Sequence, residues 1–380
     1  MDSMNSEKNI LLVGHDRGGV NLLVPLLTHW REMPCGINAT FLSTPAIQHE
    51  VASMARAAFG ATIETPLPAA ATAQPMHGSG EMFLGRNAWT FSNDQLGAVL
   101  DSKPWDLVLT GTSAISKMEK TAWAMARDRG IPSAVMCDMW TEYRRRLTDE
   151  KGNLCLDHLL VLDARMAEEV DAEFGGAVKT TIVGSPHFAH LIGRGRAGET
   201  GRENIRFISE PIAALFPSAG IHEFSIAEMM ISAMQQSACD APLILRPHPQ
   251  DDSEGWRRFA YDFRDCGVRL DDEPSWACAL STRMAIGISS MMLIEFAMAG
   301  IPVASIQPPG ADESYFCLHE SDFGISIVRN VDELAAWLSA PPPPAIDPDF
   351  AAQHVRSIDV ITQHIKAGTL FESAVTGART

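Results

Sequence analysis

The sequence predicts an α/β protein built from two Rossmann-like parallel-sheet domains facing each other across a cleft. Three observations carry that prediction. Short apolar, β-branched runs alternate with longer helical stretches along the chain, the pattern of a parallel sheet covered on both faces. The alternation dissolves once, into the glycine- and charge-rich segment Gly193 to Arg202, and then restarts. A length of 380 residues exceeds what one hydrophobic core comfortably serves.

Asn9 to Val13 is an apolar run that enters the loop Gly14-His15-Asp16-Arg17-Gly18-Gly19 and then an amphipathic stretch from Val20 to Arg31, giving strand, loop and helix. Strands follow at Ala39 to Leu42, Trp105 to Thr110, Ser133 to Cys137, His158 to Leu162 and Thr180 to Val183, with helices at Ile47 to Phe59 and Lys117 to Arg129. Past the linker the unit recurs. Strands are expected at Ile205 to Ser209, Pro242 to Arg246, Met284 to Ile288 and Pro302 to Ile306, and helices at Ile221 to Ser237, Gly255 to Cys266 and Met291 to Ala299. The expected layout is a first domain over 1–192, a linker over 193–203, a second domain over 204–340, and a proline-rich connection with a final helix, Phe350 to Ala367, over 341–380.

Composition narrows the classes of function. With 47 acidic residues against 30 basic ones and a formal net charge of -17, the chain has no basic field to gather nucleic acid or an anionic membrane. A small anion can still be held by a locally built site. Neither a long apolar span nor a secretory pattern at Met1 to Lys8 is present, so the expectation is a cytoplasmic protein without a transmembrane segment. The seven cysteines are scattered singly, which fits reduced thiols and not a structural zinc site. The acidic pairs Asp251-Asp252, Asp271-Asp272 and Asp347-Pro348-Asp349 fall in loops away from the other signals, and no obligatory metal or cofactor is expected.

In open α/β sheets the ligand lies at the carboxyl ends of the strands, so the residues just past each strand are the ones that matter. In the second half, Arg246 ends a strand and leads into Pro247-His248-Pro249, where two prolines restrict the backbone and present an imidazole to a phosphate or a leaving oxygen. Ser289-Ser290 opens a helix that stops at Gly300-Ile301-Pro302; serine caps helices, and the first N–H groups of a helix attract anions. Glu295 lies about a turn and a half further in, at a place suited to ribose hydroxyls. In the first half, the loop at 14–19 lacks the dinucleotide glycine spacing and instead presents His15 and Asp16, either of which suits the base of a transfer reaction. Thr110-Gly111-Thr112-Ser113, with Glu119 on the following helix, ends another strand. Then comes Asp138-Met139-Trp140-Thr141-Glu142-Tyr143-Arg144-Arg145-Arg146, where Asp138, Trp140, Glu142 and Arg144 are the candidates for binding substrate: arginine forks suit carboxylates and phosphates, and aromatic faces suit sugar rings. Gly184-Ser185-Pro186-His187 reads as hinge architecture.

Pro247-His248-Pro249, followed by Gly287-Ile288-Ser289-Ser290, Glu295 and Ala299-Gly300-Ile301-Pro302-Val303, resembles the donor-binding half of GT-B glycosyltransferases. The relatives it looks most like are bacterial sialyltransferases, capsule Kdo transferases and CDP-glycerol glycerophosphotransferases, which share a His-Pro and a Ser-Ser motif. The resemblance implies that His248, Ser289 and Ser290 contact the phosphate of a nucleotide donor, with Arg246, Glu295 and the loop Ser209-Glu210-Pro211 in the same set. It also implies a metal-independent, inverting transfer from a nucleotide-sugar, such as a CMP-linked nonulosonic acid, to a saccharide or other hydroxyl acceptor. The segment from Gly111 to Arg144 loosely resembles bacterial surface-polysaccharide biosynthesis proteins. UDP-sugar 2-epimerases share the two-domain layout but carry an Arg-Pro-Glu loop and a His-Arg pair that this chain lacks. A non-catalytic sugar-nucleotide-binding partner in a polysaccharide pathway is the third reading.

Overall fold

The computed structural model describes residues 7–371 apart from 16, 34, 44–73, 76–88, 91–92, 114–115, 155, 196–201, 216, 218–219, 274–276, 310–322 and 344. Asp16 and the expected helix at Ile47 to Phe59 lie outside the described residues. The chain divides into two compact units, one formed by Met1–His190 with Ala352–Thr380 and the other by Leu191–Ala351.

The first unit holds a six-stranded parallel sheet in the order β2-β1-β5-β6-β7-β8. Its strands are β1 (Lys8–Val13), β2 (Ile37–Leu42), β5 (Leu107–Thr110), β6 (Ser133–Met136), β7 (His158–Val161) and β8 (Thr180–Ile182); a two-residue antiparallel ladder joins β3 (Gln74–Pro75) to β4 (Trp89–Thr90). Every residue of β5, β6 and β7 is buried, as expected where helices cover both faces. Leu11 and Val13 pack with Leu96, Leu100 and Ala122 from helices Asn93–Asp101 and Met118–Asp128. Helix Arg17–Glu32 is buried on more than one side because the last helix, Ser357–Ala367, also lies against it: Trp30 Nε1 donates to Thr362 Oγ1 at 2.8 Å.

The second unit repeats the plan with the order β11-β10-β9-β12-β13-β14, again all parallel. The strands are β9 (Asn204–Ile208), β10 (Leu243–Arg246), β11 (Val268–Leu270), β12 (Thr282–Gly287), β13 (Val303–Ile306) and β14 (Ser326–Val328). Alternate strand residues Ile205, Phe207, Leu243, Leu245, Met284 and Ile286 face helices Glu223–Gln236, Ser253–Asp262 and Val331–Ser339 in one core, around the fully buried Trp256.

Several boundaries differ from the sequence reading for local reasons. Residues 193–195, expected in a linker, complete helix Pro186–Gly195. The expected helix Phe350 to Ala367 is two helices, Pro348–Val355 and Ser357–Ala367; the first begins early because the Asp347 carboxylate accepts from the N–H groups of Asp349 and Phe350, with Pro348 suited to a first helical position. The expected helix to Cys266 stops at Asp262 and closes through a short 3-10 turn onto Gly267, whose φ of 76° suits a residue without a Cβ. Within the run Asp138 to Arg146, to which the sequence assigned no element, Tyr143–Leu147 forms a short helix.

Candidate functional site

In the second unit the strand order reverses between β9 and β12, so the switch point lies where Ser209-Glu210 and Ile288-Ser289-Ser290 emerge. The two strands meet closely there: a Cβ on Gly287 would stand 2.8 Å from the Ile208 carbonyl oxygen. Glu210 Oε2 accepts from the Ser289 N–H at 2.6 Å, tying the two loops together. Ser290 is the N-cap of helix Met291–Met298, with extended backbone and its Oγ accepting from Met292 N at 3.3 Å. Glu295 is half-buried on that helix. From β13, Ser305 Oγ donates to the Ile288 carbonyl, and Gln307 Nε2 donates to Ser305 Oγ at 3.0 Å. A cavity of about 490 Å³ opens beside the short helix Ile212–Leu215 that follows Glu210, lined by Ala213, Ile221, His222, Met229 and Pro308 among others, and its size is in the range of small-molecule sites.

His248 follows β10 with an exposed imidazole. Its turn is closed in both directions: His248 N donates to Asp251 Oδ2 at 2.7 Å, and Asp251 N donates to His248 O at 2.9 Å. His248 Nδ1 accepts from Gln250 N at 3.2 Å, so the proton of the neutral ring resides on Nε2, which makes that nitrogen a donor. Burial pushes the Asp251 carboxyl above the usual carboxylate range, with the Glu223 carboxylate adding to the push and Ser209, the His248 N–H and Trp256 pulling against it.

Arg246 is turned elsewhere. Its Nη1 lies 2.7 Å from Asp271 Oδ2, 3.0 Å from Glu273 O and 3.1 Å from Cys278 Sγ. Asp271 also pairs with the fully buried Arg206 at 2.9 Å, and Arg206 reaches Glu273 Oε2 at 3.1 Å. Asp271, Glu273 and Cys278 bring three metal-type ligand atoms within 4.8 Å, yet two guanidiniums already fill that space, and burial pushes the Cys278 thiol up to about 12. The donor set does not fit a cation; it is the counter-charge of Arg206 and Arg246.

In the first unit the order reverses between β1 and β5. Past β1, the His15 N–H donates to Glu119 Oε1 at 2.9 Å, and burial holds the His15 imidazole below its usual pKa, which favours the neutral ring. Past β5, Thr112 Oγ1 donates to Asp138 Oδ1 at 2.7 Å, and Arg146 Nη1 reaches the same oxygen at 2.9 Å and Thr112 Oγ1 at 3.1 Å. The other Asp138 oxygen lies against the start of helix Arg17–Glu32, where a Cβ on Gly18 would stand 1.9 Å from it. A Cβ on Gly111 would stand 2.3 Å from Gly19 Cα, so these two loops approach only through glycine.

The four candidates between Asp138 and Arg144 are not brought together. Asp138 stands at the switch point. Trp140 is buried, donates through Nε1 to both Asp163 oxygens at 3.1 and 3.0 Å, and stacks near Phe188, so its ring faces protein and not a sugar. Glu142 is exposed and pairs with Arg145 at 2.8 Å. Arg144 is exposed and pairs with Glu173 at 2.8 Å beside the Phe174 ring. The arginine that reaches Asp138 is Arg146, which the sequence reading did not single out. Tyr143 and Leu147, four residues apart, mark the inward face of this short helix, and Arg146 shares it.

Two parallel six-stranded sheets, each in its own α/β unit and each reversing strand order at a switch point, define a two-domain fold of GT-B type. Solved structures superpose on nearly the whole chain. UDP-GlcNAc 2-epimerase from Methanocaldococcus jannaschii matches with a TM-score of 0.63 at 11% identity, covering 93% of this chain and 99% of that one. A putative UDP-N-acetylglucosamine 2-epimerase from Listeria monocytogenes matches with a TM-score of 0.62 at 12% identity over 96% of this chain and 97% of that one. UDP-GlcNAc 2-epimerase from Neisseria meningitidis bound to UDP-GlcNAc gives 0.60 at 10% identity over 94% and 99%. At these identities the likeness is one of fold. No protein-family profile matches the sequence, and no curated protein sequence is similar to it.

Proposed function

We propose that the chain is a GT-B glycosyltransferase that moves a sugar from a nucleotide-activated donor to a hydroxyl acceptor. The observation that carries this reading is the carboxyl edge of the second sheet, where a serine-capped helix start at Ser289-Ser290 past β12 and an imidazole donor at His248 past β10 emerge on either side of β9. Helix N–H groups and the His248 Nε2 proton supply the positive ends that a donor phosphate needs as its negative charge grows on leaving. Glu295 is assigned to the ribose, and Glu210 to setting the Ser289 loop. Arg246 acts through its ion pair with Asp271 as scaffold for this edge. His15, kept neutral by burial, is the base that takes the acceptor proton; Asp16 is the alternative for that role. Asp138, fixed by Arg146 and Thr112, is the substrate-facing carboxylate of the first unit. A CMP-linked acidic sugar is the first donor to test, with inversion at the transferred carbon expected from a single displacement and no metal required.

The deciding experiment is a thermal-shift panel with CMP, CDP, UDP and GDP, followed by transfer assays with the sugar form of whichever nucleotide binds. One nucleotide is expected to raise the midpoint, by about 2.7 kcal/mol of stabilisation at a hundredfold excess over Kd. A flat response to all four removes the reading. A 2-epimerase is the alternative, supported by the fold likeness to enzymes of that name. Incubation with UDP-GlcNAc alone separates the two, because an epimerase converts it without an acceptor.

A further inference from the structure

In each unit, the histidine that follows a strand end has its own main-chain N–H bound by a carboxylate. His15 N donates to Glu119 Oε1 at 2.9 Å, from a residue 104 positions away on helix Met118–Asp128. His248 N donates to Asp251 Oδ2 at 2.7 Å, from three residues along its own loop. The sequence contexts are unrelated, a glycine-rich loop in one case and a Pro-His-Pro turn in the other, yet the same backbone atom is held by the same kind of acceptor.

Both carboxylates are committed to protein. Glu119 has no exposed surface. Asp251 is partly buried beside Ser209 and Trp256, with the Glu223 carboxylate near it. Withdrawing a carboxylate from water costs several kcal/mol, more than a neutral amide needs from its acceptor, and a carbonyl would satisfy that amide at lower cost. What a carboxylate adds is a short, strong, directional bond that fixes the peptide plane. The direction of a side chain on a loop follows from that plane, and a misplacement of about 1 Å at a reacting group costs on the order of a hundredfold in rate.

We propose that Glu119 and Asp251 are positioning residues, each pinning the main chain at its histidine so that the imidazole stands at the carboxyl edge of its sheet. The catalytic consequence rests on the transferase reading above; the anchoring itself does not.

Four variants test it. Glu119→Gln and Asp251→Asn keep an acceptor oxygen, whereas Glu119→Ala and Asp251→Ala remove it. Residue-resolved amide exchange should quicken at least tenfold at His15 in Glu119→Ala and at His248 in Asp251→Ala, and by less in the amide variants, whose neutral oxygens still accept but bind more weakly. Turnover should fall tenfold or more in the alanine variants, mainly in kcat and less in donor KM, and recover in part with Gln or Asn. Should Glu119→Ala not fold, the partly exposed Asp251 arm and Glu119→Gln still decide. Unchanged exchange at His248 in Asp251→Ala overturns the anchor, and faster exchange with unchanged kcat overturns the positioning role. Failure of the transferase reading shows separately, on the wild type, as no nucleotide binding and no transfer; the exchange data then decide the anchor by themselves.

Discussion

At the scale of single residues, the two histidines carry the sharpest expectations. Replacing His248 with alanine removes the Nε2 donor but leaves Ser289, Ser290 and the helix start in place, so nucleotide affinity should change little while turnover drops by a factor on the order of a hundred. Steady-state kinetics of the variant check this, and near-wild-type kcat would take His248 out of the reaction. As the proposed base, His15 sets the expected pH dependence. Its pKa is lowered by burial, and a base acts only when deprotonated, so kcat/KM should hold through pH 6.5 and fall only below it. A pH–rate profile with its acid limb at or above 6.5 would contradict that. The placement of His248 and the two serines past strand ends was legible in the sequence because each follows a short apolar run. The partners that hold the histidines were not. Glu119 is 104 residues from His15, and nothing in a linear pattern pairs them. Among Arg144, Arg145 and Arg146, only the helical spacing to Tyr143 and Leu147 distinguishes the arginine that turns inward, and that helix is five residues long, too short to show a period.

At the scale of elements, the central strands and several long helices were readable, whereas the three-residue edge strands β11 and β14 and the helices Ala164–Phe174 and Val331–Ser339 were not. Three positions show no alternation by themselves; the equally short β8 was readable because its Thr-Thr-Ile run is β-branched throughout. Helix Pro348–Val355 shows how an element is docked by one group. His354 is fully buried; its Nδ1 accepts from the Ser185 N–H at 2.8 Å, its ring stands edge-on to Phe188, and a Cβ on Gly184 would crowd the helix backbone at 3.0 Å. Burial lowers the His354 pKa to about 4. Because the folded value lies below the unfolded value of about 6.5, the contribution is fully present above pH 6.5. It is lost as pH falls from there toward 4, when the unfolded chain takes up the proton first, and it amounts to about 3 kcal/mol. Urea titrations from pH 4 to 7 should therefore show wild type losing more stability on acidification than His354→Gln. Parallel curves would mean that the imidazole is not held neutral.

At the scale of the whole molecule, a charge of -17 and a phosphate-bearing ligand look incompatible only if the bulk field decides. It does not at contact range, where screening over about 8 Å leaves the nearest dipoles in control. The two switch points differ in this respect. In the first unit, the Asp138 carboxylate already stands against the start of helix Arg17–Glu32, locked there by Arg146 and Thr112. In the second, the Glu210 carboxylate takes the Ser289 N–H just ahead of the helix, but the cap itself is the neutral hydroxyl of Ser290. A nucleotide phosphate should therefore bind the second unit and leave the first unoccupied. Residue-level hydrogen exchange with and without a saturating nucleotide checks this. Protection is expected at 289–293 and around His248, with amides at 17–21 unchanged. Protection at 17–21 instead would place the phosphate in the first unit and reverse the assignment of donor and acceptor halves. High salt adds a control: a contact-range site in an acidic protein should lose little affinity between low and physiological ionic strength, because no long-range attraction exists to be screened. A steep loss would show that exposed cations, not helix N–H groups, hold the ligand.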